Sequence, residues 1–197
     1  MIQQGILLEA LNIINESIVE CQKCKLHLLE VNDNKKETLG YGKLLPRINT
    51  STEIMIIGLN PSHNRFPGLR HPFGGGHNFK KDKNAKFLEI FKKFNVFDKC
   101  YITNIVKCST ADNDVKMETI KACSEHIDRE IDYCKPRVVI AAGSQVYNFL
   151  LRLNLKNIEK IYHPSYCFSY HGVKLEDYII QIRNILKKYK LLEGKYE

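Results

Sequence analysis

The segment EIMIIGLNPS, residues 53–62, joins a short apolar run to an abrupt polar ending. The apolar run stops at Gly58, which is typical of a strand that is buried on both faces. Such strands occur mainly in the parallel sheets of α/β proteins, where helices cover both faces. The segment therefore predicts a central strand of a parallel sheet, with LNPS at its carboxyl end.

The rest of the chain alternates between strand and helix patterns. Further strands are predicted at CYITNIV (100–106), RVVIAA (137–142) and IEKIY (158–162). Apolar residues at helical spacing predict helices over 5–20, 84–96, 115–134 and 175–190, with another from about Ser144. The alternation predicts an α/β fold: a three-layer sandwich with a central, mostly parallel four-stranded sheet, in a single domain over residues 1–197.

Polar motifs follow three of the four predicted strands. GLNPS follows the first, TNIVKC spans the end of the second, and HPSY follows the fourth. Ligands of parallel α/β sheets bind just beyond the carboxyl ends of the strands. We therefore expect these motifs to form one site. The proline- and glycine-rich segment 61–82 is predicted to be a long functional loop.

The composition favours a polyanionic partner inside the cell. The chain of 197 residues carries a formal net charge of +8, with basic stretches at 80–93 and 187–190 that fit either a phosphate-binding patch or solvated helix faces. No apolar run approaches the roughly 18 residues of a membrane span, and the N-terminal segment does not resemble an export signal. We expect a cytoplasmic protein, nucleoid-associated in a prokaryote, that does not bind membranes.

Seven cysteines are many for a cytoplasmic protein, where structural disulfides are rare. Cys21 and Cys24 form a C-x2-C pair after the first helix, a spacing that lets two thiolates bind one metal centre. Cys108 and Cys123 are the predicted partners, because the chain can return both to the same end of the sheet. Four thiolates without histidine suit either a [4Fe–4S] cluster or a structural zinc. Cys100 and Cys134 are predicted instead to be small buried hydrophobic residues.

Several motifs, taken in order, resemble the uracil-DNA glycosylase superfamily. They are IMIIGLNPS, YITNIVKC, the helix KACSEHIDREI with its cysteine, PRVVIAAGSQVYNFLL and HPSY, together with the C-x2-C pair. The iron–sulfur members, called family 4, are most similar, and the resemblance spans about residues 21–171. It implies a [4Fe–4S] cluster on the four cysteines and hydrolysis of the N-glycosidic bond of uracil in DNA, which leaves an abasic site.

The resemblance also implies roles for individual residues of the site. Asn60 would position the attacking water, because a neutral amide is too weak a base to deprotonate it, and His163 would donate to the departing uracil. Asn104 would recognise the uracil edge, because one amide supplies both a donor and an acceptor. Phe73 would stack on the flipped base, and the backbone at Gly58 and Leu59 would contact uracil. The residues alone favour a turn for Asn60, and they also allow a capping histidine before a proline turn for His163 and a strand end for Asn104.

Contacts with DNA are implied around the same motifs. The segment PSYCFSYHG after His163 corresponds to a loop that inserts a side chain into the gap left by the flipped base. The predicted DNA-binding residues are Ser62, Ser165, Tyr166, Phe168 and Tyr170. Each large side chain among them also fits a hydrophobic cover on the core. The expected partner is uracil-containing DNA, single- or double-stranded, bound by a monomer.

One motif departs from family 4, which has Glu-Ala where this chain has Leu59-Asn60. GLNPS is instead similar to the GINPG or GMNPG motif of the mismatch-specific and single-strand-selective glycosylases. This departure leaves two alternatives to uracil excision. One is a glycosylase for other deaminated bases, such as hypoxanthine or xanthine. The other is a non-catalytic iron–sulfur protein that binds damaged DNA as a sensor.

Overall fold

The structure is a computed structural model that describes residues 2–24, 52–61, 85–108 and 115–192. Within these ranges four strands form one sheet: β1 (Ile54–Gly58), β2 (Cys100–Asn104), β3 (Val138–Ala142) and β4 (Ile158–Ile161). Their order across the sheet is β2-β1-β3-β4, and each neighbouring pair is parallel. The predicted parallel four-stranded sheet is therefore confirmed.

Helices connect the strands and cover both faces of the sheet. They are α1 (Ile2–Val19), α2 (Leu88–Lys93), α3 (Met117–Cys134), α4 (Ser144–Arg152), α5 (Pro164–Phe168) and α6 (Leu175–Lys188). Short 3₁₀ turns over Ala85–Phe87 and Phe97–Lys99 flank α2. Among the described helices, none is both long enough and apolar enough to cross a membrane.

Two hydrophobic clusters lie on opposite faces of the sheet because successive strand side chains alternate in direction. Ile54 and Ile56 face a cluster completed by residues of α2, α5 and α6. Met55 and Ile57, one position away, face a second cluster completed by residues of α1, α3 and α4. All residues of β1, β2 and β3 are buried. The molecule thus has the predicted three layers, with the sheet in the middle.

The structure corrects several predicted boundaries. β2 ends at Asn104 rather than at residue 106, because the chain bends at the next two residues. The helix predicted over 84–96 begins as a 3₁₀ turn and ends at Lys93, since Asn95 adopts a left-handed backbone with φ 56°. PSYCFSYHG was expected to be a loop, but Pro164 begins the short helix α5, and His163 is its N-cap, the alternative that the residues alone allowed for this histidine. Proline is favoured in the first turn of a helix, where its missing N–H costs nothing.

Candidate active site

The carboxyl ends of the four strands bring the polar motifs to one edge of the sheet. Gly58, the last residue of β1, lies beside Asn104, the last residue of β2, in the parallel register. The N–H groups of Ile105 and Val106 then donate to the carbonyls of Gly58 and Leu59, at 2.9 and 2.8 Å. These bonds join the GLNPS and TNIVKC motifs directly through the backbone.

Asn60 lies just beyond β1 and is partly exposed. Its Nδ2 donates a hydrogen bond to the Pro61 carbonyl at 3.1 Å, which orients the amide. In this amide Nδ2 is a donor, and Oδ1 is the atom that can accept a hydrogen bond, for example from water. The arrangement suits water placement and offers no strong base.

Asn104 ends β2 and is buried, with 3% of its surface exposed. Its main-chain carbonyl accepts a hydrogen bond from the Lys107 ammonium at 2.7 Å. A buried amide must form its hydrogen bonds with protein groups or with a bound ligand. Asn104 therefore places an amide, which has both a donor and an acceptor, at the edge where ligands of such sheets bind.

His163 lies two residues after β4. Its Nδ1 accepts a hydrogen bond from the main-chain N–H of Ser165 at 3.2 Å and lies 2.6 Å from the Ser165 Oγ. A neutral ring that accepts at Nδ1 carries its proton on Nε2. Although the residue as a whole is exposed, surrounding protein atoms partly bury the imidazole and lower its pKa. The side chain is therefore a neutral donor at Nε2.

Gly143 lies at the same edge of the sheet but was not among the predicted site residues. It follows β3 with φ 105° and ψ 159°, a conformation available almost only to glycine. A Cβ atom at this position would lie 3.4 Å from the His163 Cβ, so the backbone of one strand end packs directly against the histidine. The signal in the sequence is a glycine placed immediately after the apolar run VVIAA.

The tyrosines after β4 differ in their surroundings. The Tyr166 ring stacks on Tyr162 with centroids 5.7 Å apart, and a Cβ atom at Gly172 would overlap with its other side. Phe168 instead packs edge-on against the buried Tyr178, with centroids 5.9 Å apart, and contacts the core. Tyr170 is 75% exposed. Tyr170 is therefore the open side chain of this segment, whereas Phe168 covers the core.

The four predicted ligand cysteines lie around the start of α3 and the end of α1. Cys123 on α3 is buried, which raises its pKa, and the thiols of Cys24 and Cys21 are near enough to raise it further. The main-chain N–H of Lys107 donates to the Cys123 sulfur, and the next residue is the buried Cys108. An ion pair between Lys23 and Glu125 also holds the C-x2-C segment against α3.

The thiols match the chemistry of a metal centre, and those of Cys21 and Cys24 lie near Cys123, but the four cysteines are not arranged as a formed metal site. Three or more His, Cys, Asp or Glu groups in metal-binding geometry occur nowhere in the described part of the chain. All seven cysteines are described, and none of them forms a disulfide. Cys100 and Cys134 are buried, as predicted, and burial raises the pKa of Cys134 to about 12. They are inert thiols and do not belong to the group around Cys123.

The family model for the uracil DNA glycosylase superfamily matches residues 45–187, most of the chain. The chain belongs to this superfamily. Residues 45–187 include all four strands and the three polar motifs at their ends. The superfamily assignment and the site geometry therefore concern the same part of the molecule.

Relatives within the superfamily carry the name type-4 uracil-DNA glycosylase. The protein of Sulfurisphaera tokodaii is 29% identical, with 83% of this chain and 69% of that protein covered. The protein of Saccharolobus solfataricus is 28% identical, with 85% and 73% covered, and that of Thermotoga maritima is 23% identical, with 94% and 97% covered. A crystal structure of Pedobacter heparinus SMUG2 shares the fold, with a TM-score of 0.56 at 16% identity over 71% of this chain and 76% of that one.

This superfamily member also contains a buried ion pair that the sequence analysis missed. The Lys107 ammonium lies 2.6 Å from a Glu130 carboxylate oxygen, and the two side chains are 2% and 0% exposed. Burial lowers the pKa of Lys107 and raises that of Glu130. The signal was available: Glu130 lies on the helix face that carries Cys123, Ile127 and Cys134, all of them buried.

Two of the predicted site residues lie outside the described residues. They are Phe73, expected to stack on the flipped base, and Ser62, expected to contact DNA. The structure places Gly58, Leu59, Asn60, Asn104 and His163 at the same edge of the sheet. The roles predicted for all of these residues rest on this placement and on the superfamily.

Proposed function

We propose that the protein is a monofunctional uracil-DNA glycosylase that hydrolyses the N-glycosidic bond of deoxyuridine in DNA and leaves an abasic site. The observation that carries the proposal is the neutral His163, fixed as an Nε2 donor at the strand edge that also holds Asn60 and Asn104. The names of the type-4 relatives support uracil as the base.

The reaction needs a positioned water and little general-base assistance. Cleavage passes through an oxocarbenium-like sugar, and negative charge develops on the departing uracil. Asn60 accepts a hydrogen bond from the attacking water through Oδ1, while its Nδ2 remains on the Pro61 carbonyl. The proton lost by the water passes to solvent or to the released base, since the amide itself cannot hold it.

His163 acts on the leaving group. Its Nε2–H donates a hydrogen bond to uracil O2 as the negative charge develops there, which is the electrostatic role of an oxyanion donor. The lowered pKa keeps the imidazole neutral, so Nε2 donates without delivering a full proton. The Ser165 groups on Nδ1 hold the ring in the required tautomer.

Recognition of the base falls to the other strand ends. Asn104 bonds to the N3–H and O4 groups of uracil, and the backbone at Gly58 and Leu59 borders the pocket. Phe73 stacks on the extruded base. A duplex hides the glycosidic bond, so the nucleotide must be flipped out of the stack. Tyr170 is the side chain best exposed to fill the resulting gap, beside the stacked Tyr166.

The DNA backbone is proposed to bind at this edge of the sheet through phosphate contacts. A net charge of +8 favours polyanions, and Ser62 supplies a hydroxyl for phosphate contacts, whereas the Ser165 hydroxyl is bonded to the Nδ1 of His163. Both single- and double-stranded DNA fit such an open edge. We propose that a monomer acts on DNA in the cytoplasm.

We further propose that Cys21, Cys24, Cys108 and Cys123 hold a [4Fe–4S] cluster, with structural zinc as the alternative. The thiols of Cys21 and Cys24 lie near Cys123, and the Lys107 N–H bonded to the Cys123 sulfur is a group that stabilises a thiolate. When bound, the cluster supplies structure by joining the end of α1 to α3. The bond-breaking chemistry belongs to Asn60 and His163.

The motif Leu59-Asn60 favours a second candidate, a wider choice of deaminated bases, because asparagine-type relatives vary in substrate. One set of oligonucleotide substrates tests both candidate functions. Oligonucleotides that carry U, hypoxanthine, xanthine or T are incubated with wild-type protein and with Asn60→Asp. We expect uracil release by the wild type and a changed rate in the variant. Release of hypoxanthine or xanthine without uracil would favour the second candidate, and no release of any base would favour the non-catalytic sensor.

A further inference from the structure

Lys107 contacts two different parts of the molecule through two different groups. Its main-chain N–H donates to the sulfur of Cys123 on α3. Its side-chain ammonium donates to the Asn104 carbonyl and to the Thr103 hydroxyl, both at 2.7 Å. One residue therefore links the cysteine group to the last two residues of β2.

The charge of Lys107 is neutralised inside the protein by Glu130, 2.6 Å away. Burying two charges costs several kcal/mol per ion, and replacing such a pair by apolar residues is often neutral or stabilising. Stability alone therefore does not explain the pair. An ammonium with a fixed counter-ion and two further hydrogen bonds is instead suited to holding the groups that it contacts in one position.

The end of β2, which Lys107 contacts, has one neighbouring strand among those described. β2 lies at the edge of the sheet that the described strands form, and it pairs there with β1. On that side the N–H groups of Ile105 and Val106 are bonded to Gly58 and Leu59. The Lys107 side chain turns back toward Asn104, three residues earlier in the chain, and its ammonium donates a hydrogen bond to the Asn104 carbonyl. The backbone of Asn104 is thus fixed from both directions.

We propose that Lys107 is a positioning residue that fixes Asn104 for recognition of uracil, with Glu130 holding the ammonium in place. The inference rests on the proposed function, in which Asn104 bonds to the uracil edge. It adds two residues that act through Asn104 and do not touch the base.

The test is a double-mutant cycle on the full chain. The paired variant Lys107→Met/Glu130→Met removes both charges together and keeps similar volumes, so that neither ion is left buried alone. Its single-turnover rate of uracil release is compared with those of wild type, Asn104→Ala and the triple variant. We expect a loss of about 100-fold in the paired variant, the scale of a small misplacement in a site. We expect little further loss when the paired change is added to Asn104→Ala.

Additive losses would overturn the proposal, because a merely structural role does not depend on Asn104. A paired variant as fast as an active wild type would also overturn it. If the wild type itself released no uracil, the proposed function would fall and this inference with it. Visible absorbance and thermal unfolding report whether the variant retains its metal centre and fold.

A control ion pair, more exposed than that of Lys107, lies at the opposite end of the strands. There Arg137 pairs with Glu53 at 2.9 Å and donates to the Tyr189 carbonyl at 2.6 Å. Arg137→Met/Glu53→Met is expected to leave the rate unchanged, and an equal loss there would contradict the inference. If the Lys107 pair variant does not fold, Lys107→Arg keeps the charge but changes the geometry at Asn104. The same non-additive loss is expected from it, and a wild-type rate would overturn the proposal.

Discussion

The main-chain N–H of Ser165 donates to the Nδ1 of His163 at 3.2 Å, and this one bond fixes the tautomer of the ring. The donor is available because Pro164 begins α5 and leaves the N–H groups of the first turn without partners inside the helix. The five-residue helix α5 thereby determines which ring nitrogen of His163 carries the proton. The neutral ring presents its proton at Nε2, the atom assigned to the leaving group.

The first prediction concerns His163→Ala. Removal of the Nε2 donor is expected to slow uracil release about 100- to 1000-fold, the usual cost of losing one donor to a developing oxyanion. Single-turnover rates measure the loss, and thermal unfolding should show an intact fold. The control is His171→Asn, because His171 is exposed in the same segment with φ 53°, a backbone that asparagine tolerates. Equal rates in wild type and His163→Ala would contradict the assignment.

The second prediction concerns Gly143→Ala. At φ 105° the new Cβ is strained, and it would lie 3.4 Å from the His163 Cβ. We expect a loss of roughly 1–3 kcal/mol in the free energy of unfolding, the scale of such backbone strain. We also expect slower uracil release, because relief of the strained backbone would shift the strand end that lies against His163. Chemical denaturation and single-turnover rates measure the two effects.

Ser144→Ala provides the comparison for Gly143→Ala. Ser144 is the exposed neighbouring residue that begins α4, and its change should leave both quantities near their wild-type values. A Gly143→Ala protein with wild-type stability and rate would show that the close approach of β3 to His163 affects neither folding nor uracil release.

The fold could be predicted from sequence because two strands are continuous apolar runs. IMIIG and VVIAA are buried on both faces, so their patterns leave little choice but a parallel sheet between helices. Boundaries were less predictable, because they depend on tertiary hydrogen bonds. The end of β2 at Asn104 is an example, since the next two N–H groups bond to the loop after β1.

The site could be predicted only where polar residues follow a strand. Asn60 and His163 stand out in that way, whereas Lys107 and Glu130 do not. A lysine in VKC and a glutamate in a charged helix resemble surface residues, and only the packing of α3 onto β2 shows that both are buried. Phe168 was predicted with the tyrosines, but its contact with Tyr178 depends on where α6 lies.

The third prediction concerns Tyr170→Ala. A ring that fills the gap left by a flipped base matters in a duplex and has little to replace in a single strand. We expect uracil release from double-stranded DNA to fall roughly 10-fold, consistent with about 1–3 kcal/mol for one base–aromatic stack. Release from single-stranded DNA should change little. The ratio of the two rates is the measurement, and Tyr162→Ala, which removes the partner of Tyr166 instead, is the comparison.

The last prediction separates the four predicted ligands from the other cysteines. Cys123→Ser is expected to lower the iron content and visible absorbance of the purified protein and to reduce its thermal stability, because α3 loses its tie to the C-x2-C segment. Cys100→Ser should retain all three properties: Cys100 is buried on the other face of the sheet, and its thiol donates to the Val96 carbonyl at 3.3 Å, which a hydroxyl can also do. Elemental analysis distinguishes iron from zinc. If the wild type contains zinc and Cys123→Ser loses it, the cysteine ligands are as proposed and the metal is zinc instead of an iron–sulfur cluster. Unchanged metal content in that variant would contradict the assignment of Cys123 as a ligand.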